Sequence, residues 1–206
     1  YGGVDSYDFH ALETAQCMSE RRLGGEVGIR SVHAVSHDAL WEMLGKRDDT
    51  QRLFLSALSR SHNLPVETGY PTARMSIEWA RQSLPNTIGY FIEHWDEFHT
   101  AIFLTGIRDF NYAGMRSDNG RIIGCQMVLP MPGQSATTAD FFNPLTYHVE
   151  QMIVSQRTVY PVERTLLTSG MVIGGVDSLH AGQVKIETPE MRVEYQAARE
   201  SMYWQE

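Results

Sequence analysis

Residues 87–130 read TIGYFIEHW, DE, FHTAIFLTG, IRDFNYAGMR, SDNG, RIIGCQMVLP, and this stretch decides the fold of the 206-residue chain. Its long runs are rich in β-branched and aromatic residues, and its links are short and polar, which is the pattern of strands and turns. TIGYFIEHW and FHTAIFLTG form one hairpin across Asp96-Glu97. IRDFNYAGMR and RIIGCQMVLP form a second, across a turn at Asn119-Gly120, where both residues tolerate positive φ. Four consecutive strands with short links predict an antiparallel meander. An apolar sheet face cannot stand bare, so helices or a partner subunit must cover it.

The flanking segments supply the helices. Residues 6–22 carry Phe9, Leu12, Cys17 and Met18 on one face and stop at Gly24-Gly25. GIRSVHAV follows as a strand. Residues 37–45 and 50–60 read as two helical pieces parted by the KRDD run, with Asp49 or Thr50 as cap of the second. After a loop with Pro65, Gly69 and Pro71, residues 72–82 read as a short helix capped by Thr72. Beyond the hairpins, MPGQSATTADFFNP is a connector. Residues 144–157 form a helix with Leu145, Val149, Met152 and Ile153 on one side, and residues 161–181 form another, opened by Pro161 and ended by Gly182. QVKIETPEMRVEY reads as an exposed strand or arm broken by Pro189, and ESMYWQE as a tail. The fold class is therefore α+β: an open antiparallel β-sheet of four or more strands covered on one face by helices, in one domain spanning residues 1–206.

Composition bounds the function. Hydrophobic residues make up 42% and charged residues 20%, an ordinary globular balance. The formal net charge is −8 and the one basic pair is Arg21-Arg22, so nucleic acid is not an expected partner. No run of about 18 apolar residues exists to form a membrane span, and YGGVDSYDFH lacks the charged-then-apolar pattern of a signal peptide. Cys17 and Cys125 read as buried reduced thiols, which fits a cytoplasmic setting.

Neither GxGxxG nor GxxxxGK[ST] occurs, so the chain by itself has no familiar phosphate cradle. GxSxG and CxxC are absent as well. The chemistry left falls to histidines. His10 and Glu13, three apart on the first helix, can place an imidazole beside an orienting carboxylate, as a general base requires, or simply form an exposed helical hydrogen bond. His37-Asp38 opens a helix at a strand junction. Tyr7, Tyr147 and His148 are the candidate substrate contacts, and of the neighbours Tyr147 and His148 at most one faces a site. His33 and His37 have a chelating separation, but a strand-to-helix junction falls between them. His94 and His99 flank the first hairpin turn, where surface or structural roles compete with zinc binding. Arg164 is read as the partner of a carboxylate on the sheet or in a partner subunit.

Two long segments carry a resemblance. YPVERTLLTSGMVIGGVDSLHAGQVKIETPEMRVEY, residues 160–195, resembles the closing segment of Gfo/Idh/MocA-family oxidoreductases, with Glu-Arg-Thr-Leu-Leu, a helix rich in small residues, then Ile-x-Thr-Pro. HALETAQCMSERRLGGEVGIRSVHAV, residues 10–35, is similar to the helix, Gly-Glu-x-Gly turn and first strand of that family's second domain. The resemblance implies a C-terminal substrate-binding and oligomerisation domain of an NAD(P)-dependent sugar- or cyclitol-type oxidoreductase. NAD or NADP would be held by a Rossmann domain preceding Tyr1, and none by this chain alone. SHDALWEMLG stands where the family carries an Asp-x-x-x-His pair, so His37, Asp38 and, on the first helix, His10 are the catalytic candidates. A homo-oligomer formed through the sheet and a small sugar-like substrate are the implied partners. Two other readings stay open: a non-enzymatic binding or assembly module, and an enzyme of another class using its histidines with a metal.

Overall fold

The structure, a computed structural model, describes residues 3–65, 75–127 and 142–199. The elements run α1 (Asp8–Ser19), β1 (Ile29–Ser36), α2 (His37–Gly45), α3 (Asp48–Leu58), α4 (Ile77–Ser83), β2 (Ile88–His94), β3 (His99–Leu104), β4 (Phe110–Met115), β5 (Ile122–Met127), α5 (Asn143–Ser155), α6 (Val162–His180) and β6 (Ile186–Glu187). β3, β2, β1 and β6 form, in that order, a fully antiparallel four-stranded sheet. The α+β class and the open antiparallel sheet are as the sequence predicts.

The meander is not continuous. The two expected hairpins, β2–β3 and β4–β5, both form, but they belong to separate sheets. Gly106 at φ +77° turns the chain away after β3. β1 instead takes the place beside β2, pairing Val32 with Ile92 and Ala34 with Tyr90. The outer edge of β3 is left without a strand partner among the described residues.

Side-chain alternation feeds two cores. Val32, Ala34, Tyr90, Ile92, Ile102 and Leu104 face α1 and α6, meeting Leu12, Leu167 and Met171. A bulge between Ile29 and Ser31 shifts the phase, which lets Ile29 join the same face. Val35, Phe91 and Phe103 point to the other face, where Leu40, Trp41, Leu44, Phe54, Leu58 and Trp79 of α2, α3 and α4 cover them. The helical cover expected on one face is supplied by α1 and α6, and a second helical layer lies opposite. Tyr90, Phe91, Ile102 and Leu104 are thereby buried inside the chain. They belong to the apolar set, with Phe103, Ile122 and Ile123, that suggests pairing between copies through the sheet; Phe103 and Ile122 are half-buried and Ile123, on β5, is exposed.

Local details differ from the sequence expectation for simple reasons. α3 starts two residues early, so Asp48 and Asp49 occupy its first turn, favoured by the helix dipole, and Arg47 stands at the cap position. α4 is capped by Ser76, whose Oγ accepts the Trp79 N–H at 3.1 Å; Thr72 lies outside the described residues. The segment read as an exposed arm is tied down. β6 pairs with β1, a 3-10 turn spans Pro189–Met191, Tyr195 exchanges backbone hydrogen bonds with Glu26, and Met191 and Tyr195 are buried. Most of the 131–144 connector and the tail from residue 200 lie outside the described residues.

Glycines permit this closure. A Cβ at Gly175 of α6 would sit 1.9 Å from Tyr90 Cε1, and one at Gly28 would sit 2.3 Å from the Met191 carbonyl oxygen, with φ already at +95°. Helix and sheet, and turn and C-terminal segment, approach too closely for any side chain.

Candidate functional site

Two polar regions differ in how completely they are satisfied. The first joins α1, the following turn, α6 and the C-terminal segment. Arg164 donates two bonds to Glu20, Nε to Oε2 at 2.9 Å and Nη2 to Oε1 at 2.5 Å. Tyr195 donates its hydroxyl to Glu20 at 2.8 Å and accepts from Gln16 Nε2 at 2.9 Å. Gln16 also donates to Glu26 at 2.7 Å. Glu26 further accepts from Arg22 through two nitrogens at 3.0 Å, from the Val27 and Gly28 N–H groups at 2.9 Å, and from His94 Nδ1 at 3.0 Å. Burial alone would raise the Glu26 pKa, but the bonds from His94 and Arg22 more than reverse this and hold its carboxyl below the usual range. Arg164 thus finds its carboxylate on Glu20, just after α1, within the same chain. This network closes the fold around the first core.

The second region is a cleft of about 660 Å³ running beside the unpaired edge of β3. One wall is α1, through Ala11, Thr14 and Ala15; another is α3, through Leu53, Phe54 and Ala57; β4 closes it through Phe110, Asn111 and Tyr112. Its size and its mixed lining, in which aromatic rings alternate with polar groups such as Thr14, Thr100, Asp109 and Asn111, suit a small organic ligand. Asp109 sits in the bend just before β4 and Asn111 is the strand's second residue, and their side chains meet. Asp109 accepts from Ser61 Oγ at 2.6 Å, Gln126 Nε2 at 3.0 Å and Asn63 Nδ2 at 3.3 Å on one oxygen, and from Asn111 Nδ2 at 2.5 Å on the other. That last bond fixes the Asn111 amide: its nitrogen must face the carboxylate. Asn111 Oδ1 is then buried with no donor among the described residues. The cost of such an orphan is about 1–3 kcal/mol, recoverable by a ligand that donates to it. Burial raises the pKa of the neighbouring Tyr112 phenol, so it stays protonated.

None of the catalytic or substrate-contact candidates from sequence, Tyr7, His10, His37, Asp38, Tyr147 and His148, lines this cleft, whereas His99, weighed there for zinc, does. Tyr7 and His10 sit at the exposed start of α1 with ring centroids 5.7 Å apart, and Phe9 flanks His10 at 5.6 Å. Glu13 turns to α6, accepting from Thr168 Oγ at 2.8 Å. His37 is exposed at φ +54°, where β1 becomes α2, and shares a shallow recess with Asp38, Trp41 and Arg81. Arg81 holds Asp38 at 2.7 Å. Tyr147 and His148 lie on α5, their rings 5.5 Å apart, and His148 Nδ1 is a second buried orphan among the described residues. Of the histidines considered for metal, His33 and His94 are engaged elsewhere, and His37 and His99 are exposed. His33 Nε2 donates to the Gln183 carbonyl at 2.8 Å, and His94 is fully buried against Glu26. Among the described residues no three His, Cys, Asp or Glu side chains gather as a metal site. Cys17 is half-buried, its thiol pushed up to about 11 by burial, whereas Cys125 is exposed on β5, not buried as its apolar neighbours suggested.

Sequence reasoning missed the cleft because it is assembled from α1, α3, β3 and β4, elements distant in sequence. The one local signal was Asp109-x-Asn111, two polar side chains at the start of an otherwise apolar strand. Among the described residues no helix is long and apolar enough to cross a membrane. In comparisons with protein-family models, curated proteins and solved structures, nothing matches the chain.

Proposed function

We propose that the chain is the substrate-binding and assembly domain of an NAD(P)-dependent oxidoreductase for a sugar- or cyclitol-like substrate, and that the β3-edge cleft holds that substrate. The observation that carries the binding half is the buried Asn111 acceptor in an aromatic-lined cleft. A ligand hydroxyl satisfies that acceptor, and sugar rings pack on aromatic faces such as Phe110 and Tyr112.

The oxidoreductase half rests on the resemblance, and one structural fact favours it. The two segments that carry the resemblance, residues 10–35 and 160–195, interlock as one buried unit through Glu20–Arg164, Gln16–Tyr195 and the β1–β6 pairing. A nicotinamide cofactor does not fit the residues present. In the glycine-dense turn Gly24-Gly25-Glu26-Val27-Gly28, Gly25 is closed against Gln196 and Gly28 against Met191 and Val193, which leaves Gly24 alone open and no cradle for phosphate. The cofactor would supply the hydride acceptor from another domain. This chain's part is to bind the substrate, orient it through fixed polar contacts and keep water out.

Calorimetry with the full chain tests this reading. A polyol such as myo-inositol binds, Asn111→Leu abolishes that binding, and NAD and NADP show none. No polyol binding, or micromolar binding of NAD to the chain alone, would contradict it.

For assembly, a specific observation moves the contact surface from the sheet to α5. No residue of this helix is buried, and Leu145, Ile153 and Val154 are 58%, 69% and 74% exposed. Apolar area of this kind marks contact surfaces. Sedimentation of the wild-type chain and of Ile153→Glu separates the cases. Association lost on substitution supports an α5 interface, and a wild-type monomer at high micromolar concentration refutes it.

A further inference from the structure

Behind the cleft runs a line of three polar groups that the binding reading leaves unused. Glu26 takes five donors besides His94: two from Arg22, one from Gln16 and the N–H groups of Val27 and Gly28. A carboxylate held in this way is ionised and can only accept. The 3.0 Å contact from His94 Nδ1 therefore needs a proton on Nδ1. The other ring nitrogen, Nε2, lies 2.8 Å from Thr100 Oγ1. In a singly protonated ring Nε2 carries a lone pair, so Thr100 must spend its one hydroxyl hydrogen on it. Thr100 sits on β3 and lines the cleft, and what its oxygen has left to offer there is lone pairs. Asn111, on the same cleft, is also fixed as an acceptor, because its amide nitrogen is committed to Asp109.

With His94 neutral, two acceptors that do not turn into donors impose a selection. A ligand that brings hydroxyl hydrogens satisfies both. One whose oxygens are alkylated brings only lone pairs, which leaves both acceptors unpaired and adds repulsion. Formal charge in the cleft acts in the same sense against anions. Asp49 and Asp109 stand against one guanidinium, Arg47, which lies over the Phe91 ring at 4.9 Å.

We propose that Thr100, locked as a hydrogen-bond acceptor by His94 and Glu26, is a specificity-determining contact, and that the cleft takes uncharged ligands carrying at least two hydroxyl donors. The inference rests on the cleft being the binding site. Thr100 acts directly on the ligand, while His94 and Glu26 are positioning residues that set the direction of its hydroxyl.

The test is an NMR titration of the isotope-labelled full chain with three probes: myo-inositol, its fully O-methylated derivative and an inositol monophosphate. The expected result is that myo-inositol binds with shifts at Asn111 and Thr100, and that the other two bind at least about tenfold more weakly. The His94 ring resonances show the proton on Nδ1. Thr100→Val weakens myo-inositol binding about tenfold or more, and Thr100→Ser restores it. The wild-type selectivity and the tautomer need no variant, so the test survives a Thr100→Val chain that fails to fold. Equal binding of all three probes at Asn111, or a proton on Nε2, alone or together with one on Nδ1, overturns this inference and leaves the binding reading standing. Absence of any binding overturns both.

Discussion

The two polar regions of this molecule share a wall, since α1 faces both the Glu20–Glu26 network and the cleft, yet they are built oppositely. In the network every carboxylate is bracketed by donors. Glu20 and Glu26 are fully covered, and the lone polar atoms find partners across elements far apart in sequence. In the cleft the lining residues of β4 are half-buried, and an acceptor is left over. A satisfied network resists change because removing one member strands another. An unsatisfied cleft has spare capacity that only a further molecule fills. The contrast assigns stability to one region and recognition to the other, and substitutions in each should behave accordingly.

The largest effect is expected from Arg164→Ala. It leaves Glu20 buried beside Tyr195 without its cation, and breaking such a pair costs about 3–5 kcal/mol. Urea denaturation should show the midpoint falling by a corresponding amount. A loss below about 1 kcal/mol, the range of an exposed ion pair, would mean the network is no more than surface electrostatics. Next comes Gly175→Ala, where the added methyl meets the Tyr90 ring. Overpacking of this kind costs about 1–3 kcal/mol, read from the same denaturation curves.

Acid should act through the network before it acts on the cleft. Glu26 has a folded pKa below its ordinary 4.5, so its stabilising contribution is complete above that value and is lost as the pH falls below it. Stability should therefore be flat near pH 6 and drop below about pH 4, and Glu26→Gln should flatten that drop. A variant with an unchanged acid limb would remove Glu26 as its source. The smallest stability effect is expected in the cleft. Asn111→Leu deletes an unpaired acceptor and withdraws one of four donors from Asp109, so the change should stay within about 1 kcal/mol.

The same contrast explains what the sequence made legible. Helices and hairpins were readable because their signals are local: Gly24-Gly25 after α1, Pro161 before and Gly182 after α6, and the turns at Asp96-Glu97 and Asn119-Gly120; the face of α1 was not, since Asp8, Leu12, Gln16 and Ser19 are buried while Phe9 is exposed. The pairing of β1 with β2 was not, because it joins strands separated by three helices and displaces the neighbour that proximity favoured. The buried C-terminal segment looked like an exposed arm because its apolar residues, among them Met191 and Tyr195, are interspersed with charged ones around Pro189, and the burial of those two depends on Gly28 letting the chain approach. For the site, histidines drew attention as titratable residues, yet His94 is packed inside the fold. The cleft's acceptors, Asn111 and Thr100, are chemically plain side chains whose roles follow from which partner takes their hydrogens.

The central claim, that recognition belongs to the β3-edge cleft and stability to the Glu20–Glu26 network, is tested most directly by mapping where a polyol perturbs the labelled chain. A titration with myo-inositol should shift amides of α1, α3, β3 and β4 around Thr100 and Asn111, and leave those around His37 and Asp38 in place. Shifts confined to the His37–Asp38 recess, or to α5 at Tyr147 and His148, would contradict the account and return the site to the residues first suggested by the sequence.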